Sequence, residues 1–306
     1  MRSRVGIAAA LLLVLAPVPV TGCSIRKLAV NKLGDALADS GTSYASDDDP
    51  DLIGDATPFA LKLIESLLEQ SPRHSGLLAA AAGGFTQYAW AYVQQDADAM
   101  EDQDLRAAAE KRARARRLYL RAYRYGVRGL ETAHPGITPL LESDPKGAAR
   151  LAEKKDLRFM YWTAASLVAA ISLSKDDPDR IADLPIVDAL LARATELDPD
   201  YDRGALHELL INWDGGRSDA MGGSQKRARL HFERAMELAE GKRASPLVAL
   251  AEMVSVQSQD RAEFESLLHR ALQVDPDAVP EWRLENLLMQ RRARWLLSRV
   301  DLLFAE

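Results

Sequence analysis

Residues 223–239 read GSQKRARLHFERAMELA, and this stretch decides the fold that the sequence predicts. Ala228, Phe232 and Ala235 recur at helical spacing, which places all three side chains on one face of an α-helix. Two small residues on either side of a bulky one let a partner helix approach closely, while the aromatic ring fills the groove between the helices. The stretch therefore predicts a helix that packs tightly against a neighbouring helix.

Looser copies of this small–large–small pattern recur along the chain. They lie at Ala60-x3-Ile64-x2-Leu67, Ala115-x3-Tyr119-x2-Ala122, Val187-x3-Leu191-x2-Ala194 and Phe264-x3-Leu268-x2-Ala271. The pattern is typical of the second helix of a tetratricopeptide unit, and such units bury their apolar faces by stacking on one another. The predicted fold is all-α: a degenerate tetratricopeptide-like helical repeat array (α-solenoid) in a single compact domain. The copies are irregularly spaced, so a generic helical bundle is the alternative.

The predicted helices have apolar residues at helical spacing and are separated by turn signals. We expect Pro58 to open the first helix, because the missing N–H of proline costs nothing in a first turn. No alternating strand pair occurs, and aromatic residues make up only 6% of the chain, which disfavours an all-β fold. The predicted helices cover 59–70, 74–94, 104–130, 154–173, 185–197, 203–213, 223–239, 246–257, 262–274 and 281–304.

The first residues have the features of an export signal. Arg2 and Arg4 precede an apolar run at 5–16, which is too short to span a bilayer. The run leads to Val20-Thr21-Gly22-Cys23, which is similar to the lipobox of bacterial lipoproteins, where the cysteine is acylated and becomes the N-terminus. Acyl chains bury enough apolar surface to anchor a protein in a membrane. An ordinary secretory signal with a chance cysteine is the alternative.

These features predict a signal peptide at 1–22, a lipidated N-terminus and linker at 23–50, and the helical domain at 51–306. Ser24 follows the predicted acylation site, and resemblance to enterobacterial lipoproteins then favours the outer membrane. Acylation of Cys23, the one cysteine of the chain, would leave the exported domain unable to form a disulfide. We therefore expect a periplasm-facing lipoprotein of the cell envelope.

The charge balance argues against a nucleic-acid partner. The chain has 39 Lys and Arg residues against 45 Asp and Glu residues, for a formal net charge of −6. Loss of Arg2 and Arg4 with the signal peptide would bring the net charge to about −8. A phosphate backbone would repel such a protein unless its basic residues were strongly segregated.

No catalytic or metal-binding signature is complete. His207-Glu208-Leu209-Leu210-Ile211 begins like a zinc-protease helix, but isoleucine stands where the second histidine ligand is required. Gly41-Thr42-Ser43-Tyr44-Ala45 resembles a nucleophile elbow but lacks the last glycine and a preceding strand. Asp47-Asp48-Asp49 precedes a proline and lacks the glycine bend of a calcium loop, so we expect it to cap the first helix. The sequence therefore predicts a protein that is not an enzyme and uses no metal or cofactor.

Two groups of arginines have more than one interpretation. On the helix predicted at 104–130, one face carries Arg117, Arg121, Arg124 and Arg128. This stripe predicts either a solvated basic face or a surface for an acidic partner or anionic ligand. The last predicted helix carries a second group, which comprises Arg291, Arg292 and Arg294. That helix is apolar nearly all round, so we expect carboxylates to pair with its arginines.

Two longer stretches resemble the T-component (TatT) lipoproteins associated with tripartite ATP-independent periplasmic (TRAP) transporters. The first is Tyr44-Ala45-Ser46-Asp47-Asp48-Asp49-Pro50-Asp51-Leu52, continued by Pro58-Phe59-Ala60-Leu61-Lys62, Glu65-Ser66-Leu67-Leu68 and Gln87-Tyr88-Ala89. The second is Met221-Gly222-Gly223, Ala228, His231-Phe232, Ala235, Gln259-Asp260, Phe264 and Gln290-Arg291-Arg292-Ala293-Arg294-Trp295-Leu296-Leu297. Ser224 departs from the acidic residue that we expect after the Gly-Gly pair.

The resemblance implies a lipid-anchored helical repeat protein that assembles as a homotrimer and binds the solute-binding P-component of a TRAP system. It also implies a pore or cleft for a hydrophobic or organic-acid solute on its way to that partner. A lipoprotein scaffold for envelope assembly, unrelated to solute uptake, is the alternative function.

Large aromatic residues at helical spacing are candidate contacts for a solute or a partner, although such residues more often belong to a core. The candidate aromatic contacts are Tyr88, Trp90, Tyr92, Tyr161, Trp162 and Trp213. Arg124 and Arg291 are the candidate partners for an anionic group.

Overall fold

The computed structural model describes residues 31–36 and 41–304, which form an all-α fold. Throughout these two ranges the backbone is helix, turn or loop, with no strand. The all-α prediction is therefore confirmed. The predicted signal peptide at 1–22 and the predicted acylation site at Cys23 lie outside the described residues.

The helices follow one another with short connections. The first half of the chain forms α1 (Gly41–Ala45), α2 (Pro50–Gln70), α3 (Ser75–Tyr88), α4 (Gln95–Met100), α5 (Leu105–Ala133), α6 (Ile137–Ser143), α7 (Pro145–Leu151) and α8 (Leu157–Ser172). The second half forms α9 (Pro178–Ile181), α10 (Leu184–Leu197), α11 (Ala205–Gly215), α12 (Gln225–Leu238), α13 (Ser245–Leu250), α14 (Arg261–Gln273), α15 (Arg283–Leu297) and α16 (Val300–Leu303). A further helical segment covers 31–36.

Helix α2 begins at Pro50, earlier than the sequence predicts. The Asp49 carboxylate accepts hydrogen bonds from the backbone N–H groups of Asp51 and Leu52, at 3.1 and 3.0 Å. These bonds satisfy two of the N–H groups that every helix start leaves unpaired. Pro58 consequently lies inside the helix rather than at its start. The prediction that Pro58 opens the helix is wrong, whereas the predicted capping by the acidic run is confirmed.

Helices α3 and α13 each run on into a π-helical segment, at Ala89–Gln94 and Ala251–Ser255. The residues at the junctions keep right-handed helical backbone angles, so α3, the first π segment and α4 form one rod. The sequence predicts ordinary helices at both places. One extra residue per turn is too small a change in periodicity to detect over so short a stretch.

Helix α11 connects the two main apolar clusters of the protein. Leu206 and Trp213 pack into a cluster formed mainly by α2, α3, α5, α8 and α10. Ile211, on the opposite side of α11, packs into a cluster formed by the helices from α12 onwards. The residues of these clusters lie between Leu61 and Phe304. Within the described residues, the two clusters that α11 connects therefore extend from α2 to the end of the described chain.

The small–large–small pattern marks faces that are buried. Ala228 and Ala235 of α12 are almost fully buried, and so are the corresponding small residues of α5, Ala115 and Ala122. In α14 the whole pattern, 264–271, faces the core. Helix packing on these faces is confirmed, while the tetratricopeptide-like character of the repeats remains a prediction.

Helices α5 and α8 approach each other where α5 carries two glycines. A Cβ atom at Gly126 would lie 2.2 Å from Oγ1 of Thr163, and one at Gly129 would lie 2.1 Å from a ring carbon of Phe159. Any larger residue would force the two helices apart, because these distances are far below van der Waals contact. The glycines therefore set the close packing of α5 on α8.

The array of helices closes on itself. Helix α15 contacts both α1 and α2, so the last long helix lies against the first ones. On the opposite side α11 joins the two halves through contacts with α8 and α10. The sequence predicts stacked helix pairs. It does not predict the contact between the two ends of the stack, which the structure shows.

Candidate functional site

The two ends of the array meet along a row of arginine contacts, which we call the closure seam. At its centre Arg292 of α15 contacts Asp98 of α4 at 3.0 Å and Glu252 of the second π segment at 2.6 Å. The three side chains are 11%, 15% and 17% exposed. A shielded guanidinium requires carboxylate partners, so this triad fixes the position of α15 against the first half of the chain.

Other contacts extend the closure seam on both sides of this triad. They join Arg291 to Asp51 at 2.9 Å, Arg283 to the backbone carbonyl of Ser46 at 3.0 Å, and Arg299 to Asp102. The prediction that carboxylates pair with the arginines of the last helix is thus confirmed for Arg291 and Arg292. Arg294 is exposed and has no ion pair within the part of the chain that the structure describes.

Two of the candidate aromatic residues, Tyr88 and Tyr92, lie together near the closure seam, with ring centroids 5.8 Å apart. The Tyr92 hydroxyl donates a hydrogen bond to the backbone carbonyl of Pro50 at 2.7 Å. Burial raises the pKa of Tyr92 to about 12, although the charge of Arg291 acts in the other direction. Tyr92 therefore stays neutral and ties the first π segment to the start of α2.

A second group of polar side chains lies where α8, α11, α13 and α15 meet. We call it the Ser245 cluster, and it consists of Tyr161, Glu208, Arg243, Ser245 and Glu285. Glu208 lies on α11, Ser245 begins α13 and Glu285 lies in the first turn of α15. Each helix thus contributes one group, and the cluster depends on the packing of elements that are far apart in the sequence.

The hydrogen-bond geometry of the Ser245 cluster favours a proton on one of its carboxyl groups. The Ser245 hydroxyl lies 2.6 Å from Oε2 of Glu208 and 2.5 Å from Oε1 of Glu285. A hydroxyl has one proton and donates one hydrogen bond, so the second contact is a hydrogen bond only if one carboxyl is protonated. Burial, followed by the charge of Glu285, raises the pKa of Glu208 to about 7. We therefore assign the proton to Glu208.

Arg243 balances the remaining negative charge of the Ser245 cluster. Its guanidinium lies 3.4 Å from a Glu285 oxygen and donates a hydrogen bond to the backbone carbonyl of Asp202 at 3.1 Å. It also stacks on the ring of Trp282 at 4.6 Å. The Arg243 side chain is only 6% exposed, and its Nε has no acceptor among the described residues. The Arg243 Nε–H is therefore a buried hydrogen-bond donor that has no acceptor among the described residues.

Aromatic rings adjoin the Ser245 cluster. The ring of Tyr161 lies 4.9 Å from that of Trp162 and 5.5 Å from that of Tyr201. Burial raises the pKa of Tyr161 well above its ordinary value, and the charge of Glu208 adds to the shift. Tyr161 and Trp162, two of the candidate contacts, are thus placed together beside a polar group.

The remaining candidate positions are not brought together. Trp213 is buried, donates to Asp188 at 2.7 Å and carries the guanidinium of Arg217 on its ring. Trp90 packs with a small apolar cluster between the first π segment and α5. Arg124 is exposed on α5 with no ion pair among the described residues. Whether any candidate position contacts a solute or a partner remains a prediction.

The His207-Glu208 motif places its two side chains in different surroundings. His207 lies with its Nδ1 2.9 Å from Nδ1 of His231, and burial lowers the pKa of His207 to about 4. Within 31–36 and 41–304, no three His, Cys, Asp or Glu side chains are grouped to hold a metal ion. Glu208 instead points to the Ser245 cluster, a role that no sequence motif indicates.

The fold and the two polar sites define a class of protein: a helical array closed by ion pairs, with a buried polar cluster where four of its helices meet. A family model described as "TRAP transporter T-component" matches residues 46–304. The chain also shows 30% identity over 303 residues to an uncharacterized protein of Treponema pallidum (strain Nichols), covering 93% of this chain and 94% of that relative. The chain belongs to the TRAP transporter T-component family.

Family membership confirms the resemblance found in the sequence and makes this protein an accessory component of a TRAP transporter. It also favours a protein associated with the cell envelope. In the described ranges, no helix combines the length and the apolar character needed to cross a membrane.

Proposed function

We propose that this T-component is a lipid-anchored, non-enzymatic adaptor that binds the solute-binding P-component of its TRAP system. The single observation that carries the proposal is the family match, which spans nearly all of the described chain. Stacked helices offer extended surfaces to protein partners, which suits an adaptor. Membership of a transporter family also favours this function over the alternative of an envelope-assembly scaffold.

The adaptor is proposed to act as a homotrimer held at the membrane by acylated Cys23, with the outer membrane as its location. Anchoring would hold this protein at the membrane and so raise its local concentration there. Three copies would multiply weak contacts with the P-component in the same way.

The proposal includes a second step, in which the protein passes a solute to the P-component. The Ser245 cluster is the candidate site that contacts this solute. Small-molecule sites combine apolar and aromatic walls with a few placed polar groups, and Tyr161 with Glu208 and Arg243 fits that description. The Arg243 guanidinium, whose Nε has no acceptor among the described residues, can donate a hydrogen bond to the carboxylate of an organic acid. This chemistry supports the organic-acid class more than a purely apolar solute.

We expect the chain starting at Ser24 to form a stable complex with the solute-binding protein of the same TRAP system. Native mass spectrometry should show a homotrimer that gains the mass of the partner and of any retained small molecule. A solute-binding protein from an unrelated TRAP system serves as the control and should add no mass. If the cognate partner gives neither a complex on a sizing column nor heat in titration calorimetry, the adaptor function is wrong.

Replacement Cys23→Ser is expected to abolish incorporation of labelled palmitate and to release the protein from the membrane fraction. The physical reason is that a hydroxyl in place of the thiol removes the acceptor of the acyl group, and with it the apolar anchor. The control is Ser24→Ala, which changes the neighbouring residue and keeps the thiol. Equal labelling of the Cys23→Ser variant and the wild type would contradict the proposed anchor.

A further inference from the structure

The exposed face of α5 carries a row of arginines that have no carboxylate partner in the part of the chain that the structure describes. This arginine stripe consists of Arg114, Arg117, Arg124 and Arg128, spaced by three, seven and four residues on one side of the helix. It differs from the stripe predicted from the sequence by including Arg114 and leaving out Arg121. No ion pair to any of the four occurs among the described residues. Arg121, on the same side, differs because its guanidinium lies 2.7 Å from Glu65. The stripe therefore presents a row of unneutralised positive charge about 21 Å long.

One end of the arginine stripe lies at the turn between α2 and α3. Arg128 donates a hydrogen bond to the backbone carbonyl of Pro72 at 2.6 Å. Arg73 and Arg128 both line a cleft of about 470 Å³ beside this turn. Glu131 lines the same cleft, but its carboxylate already accepts hydrogen bonds from the backbone of Gly136 and from Thr138. The cleft thus keeps two guanidinium groups at its edge.

The N-terminal segment reaches the protein at the same turn. The Ser71 hydroxyl donates a hydrogen bond to the side chain of Asn31 at 2.8 Å, and the His74 ring lies 3.2 Å from the backbone carbonyl of Asn31. Only seven residues lie between Cys23 and Asn31, and the eight Cα–Cα steps limit the separation of these two residues to about 28 Å. This short connector contains Arg26 and Lys27 and no acidic residue.

We infer that the arginine stripe, with Arg73, is the face that this protein lays on the membrane, where it binds anionic phospholipid headgroups. The inference rests on the proposed anchor at Cys23, because that anchor holds the turn between α2 and α3 close to the bilayer. Arginine binds phosphate groups through two parallel hydrogen bonds, which matches a row of headgroup phosphates. The attraction decays within about 10 Å at moderate ionic strength, so a short tether strengthens binding by keeping the stripe near the bilayer.

Binding to vesicles tests the inference with the chain starting at Ser24, which keeps all of the described helices. We expect this chain to float with vesicles that contain 30% phosphatidylglycerol but not with pure phosphatidylcholine, and to be released by high salt. The variant Arg117→Gln/Arg124→Gln should lose binding by on the order of tenfold. The matched control is Arg270→Gln/Arg294→Gln, two exposed arginines of α14 and α15 that also lack ion pairs among the described residues. This control removes the same charge and should bind within twofold of the wild type.

Two results would overturn the inference. Equal losses in both double variants would show that net charge, and not the stripe, governs attraction to the vesicles. Unchanged vesicle binding together with loss of the solute-binding protein would make the stripe a surface for that protein instead. Because the tested chain lacks Cys23, neither result bears on acylation, which the palmitate labelling tests separately.

Discussion

Replacement of Arg292 by alanine is expected to lower the free energy of unfolding by about 3–5 kcal/mol, the cost of removing one partner from a shielded ion pair. The change leaves Asp98 and Glu252, two carboxylates that are 15% and 17% exposed, without their shared cation. It also removes the stacking of the guanidinium on the ring of Trp295, 4.2 Å away. Urea unfolding followed by circular dichroism measures the loss.

The control for this prediction is Arg294→Ala, on the same helix, at an exposed position with no ion pair in the described part of the chain. That variant should lie within about 0.5 kcal/mol of the wild type. Arg292→Ala should also make the chain more open to proteases near α1 and α15, since the closure seam joins these helices. If both variants unfold at the same urea concentration, the closure seam does not hold the two ends together.

Replacement Glu208→Gln is expected to stabilise the protein at pH 8 by about 1–2 kcal/mol relative to the wild type, and to change stability little at pH 5. Glutamine resembles the protonated acid, and the geometry around Ser245 favours a proton on one of the two carboxyl groups. Because the pKa of Glu208 is raised from 4.5 to about 7, the folded protein holds a proton that the unfolded chain has lost. The stability that this group contributes is present below pH 4.5 and is lost as the pH rises to about 7.

His207 changes the pH dependence of stability in the opposite direction. The effect of Glu208 therefore has to be measured by comparing the wild type with the variant. The pKa of His207 falls from 6.5 to about 4 on folding, and the neutral imidazole therefore adds stability as the pH rises through this range. Both the wild type and Glu208→Gln contain His207, so its contribution cancels when their free energies of unfolding are subtracted. Urea unfolding of both proteins at pH 5 and pH 8 gives the difference directly.

The matched control is Glu233→Gln, which removes one exposed carboxylate of α12 that has no ion pair among the described residues. Its effect on stability should be the same at both pH values. A pH-independent effect of Glu208→Gln would mean that Ser245 donates to one ionised carboxylate and that Glu208 does not hold the proton.

The sequence predicts the helical class because the pattern that reveals it is local. Ala228 and Ala235 lie within two turns of one helix, and spacing alone identifies the face that they bury. The start of α2 is harder to predict, because the cap at Asp49 and the proline at Pro58 give competing signals and the cap prevails. Extra capping hydrogen bonds and a longer buried face outweigh the one bond that the internal proline removes.

The polar sites could not be found in this way, because their members are distant in the sequence. Arg292 and Asp98 are separated by 194 residues, and Ser245 and Glu285 by 40. The sequence indicates that the arginines of the last helix need carboxylates, but it does not identify which ones. Glu208 attracts attention only through an incomplete zinc motif, whereas its neighbours come from three other helices.

The contact between α15 and the first helices also bears on how this family can diversify. An open superhelix can gain or shed a unit at either terminus, because the end units have a single neighbour. In this closed array the number of helices is fixed, because an inserted pair of helices would move Arg292 out of reach of Asp98 and Glu252. We expect variation among relatives to concentrate in connecting loops and side chains, while the number of helices stays constant.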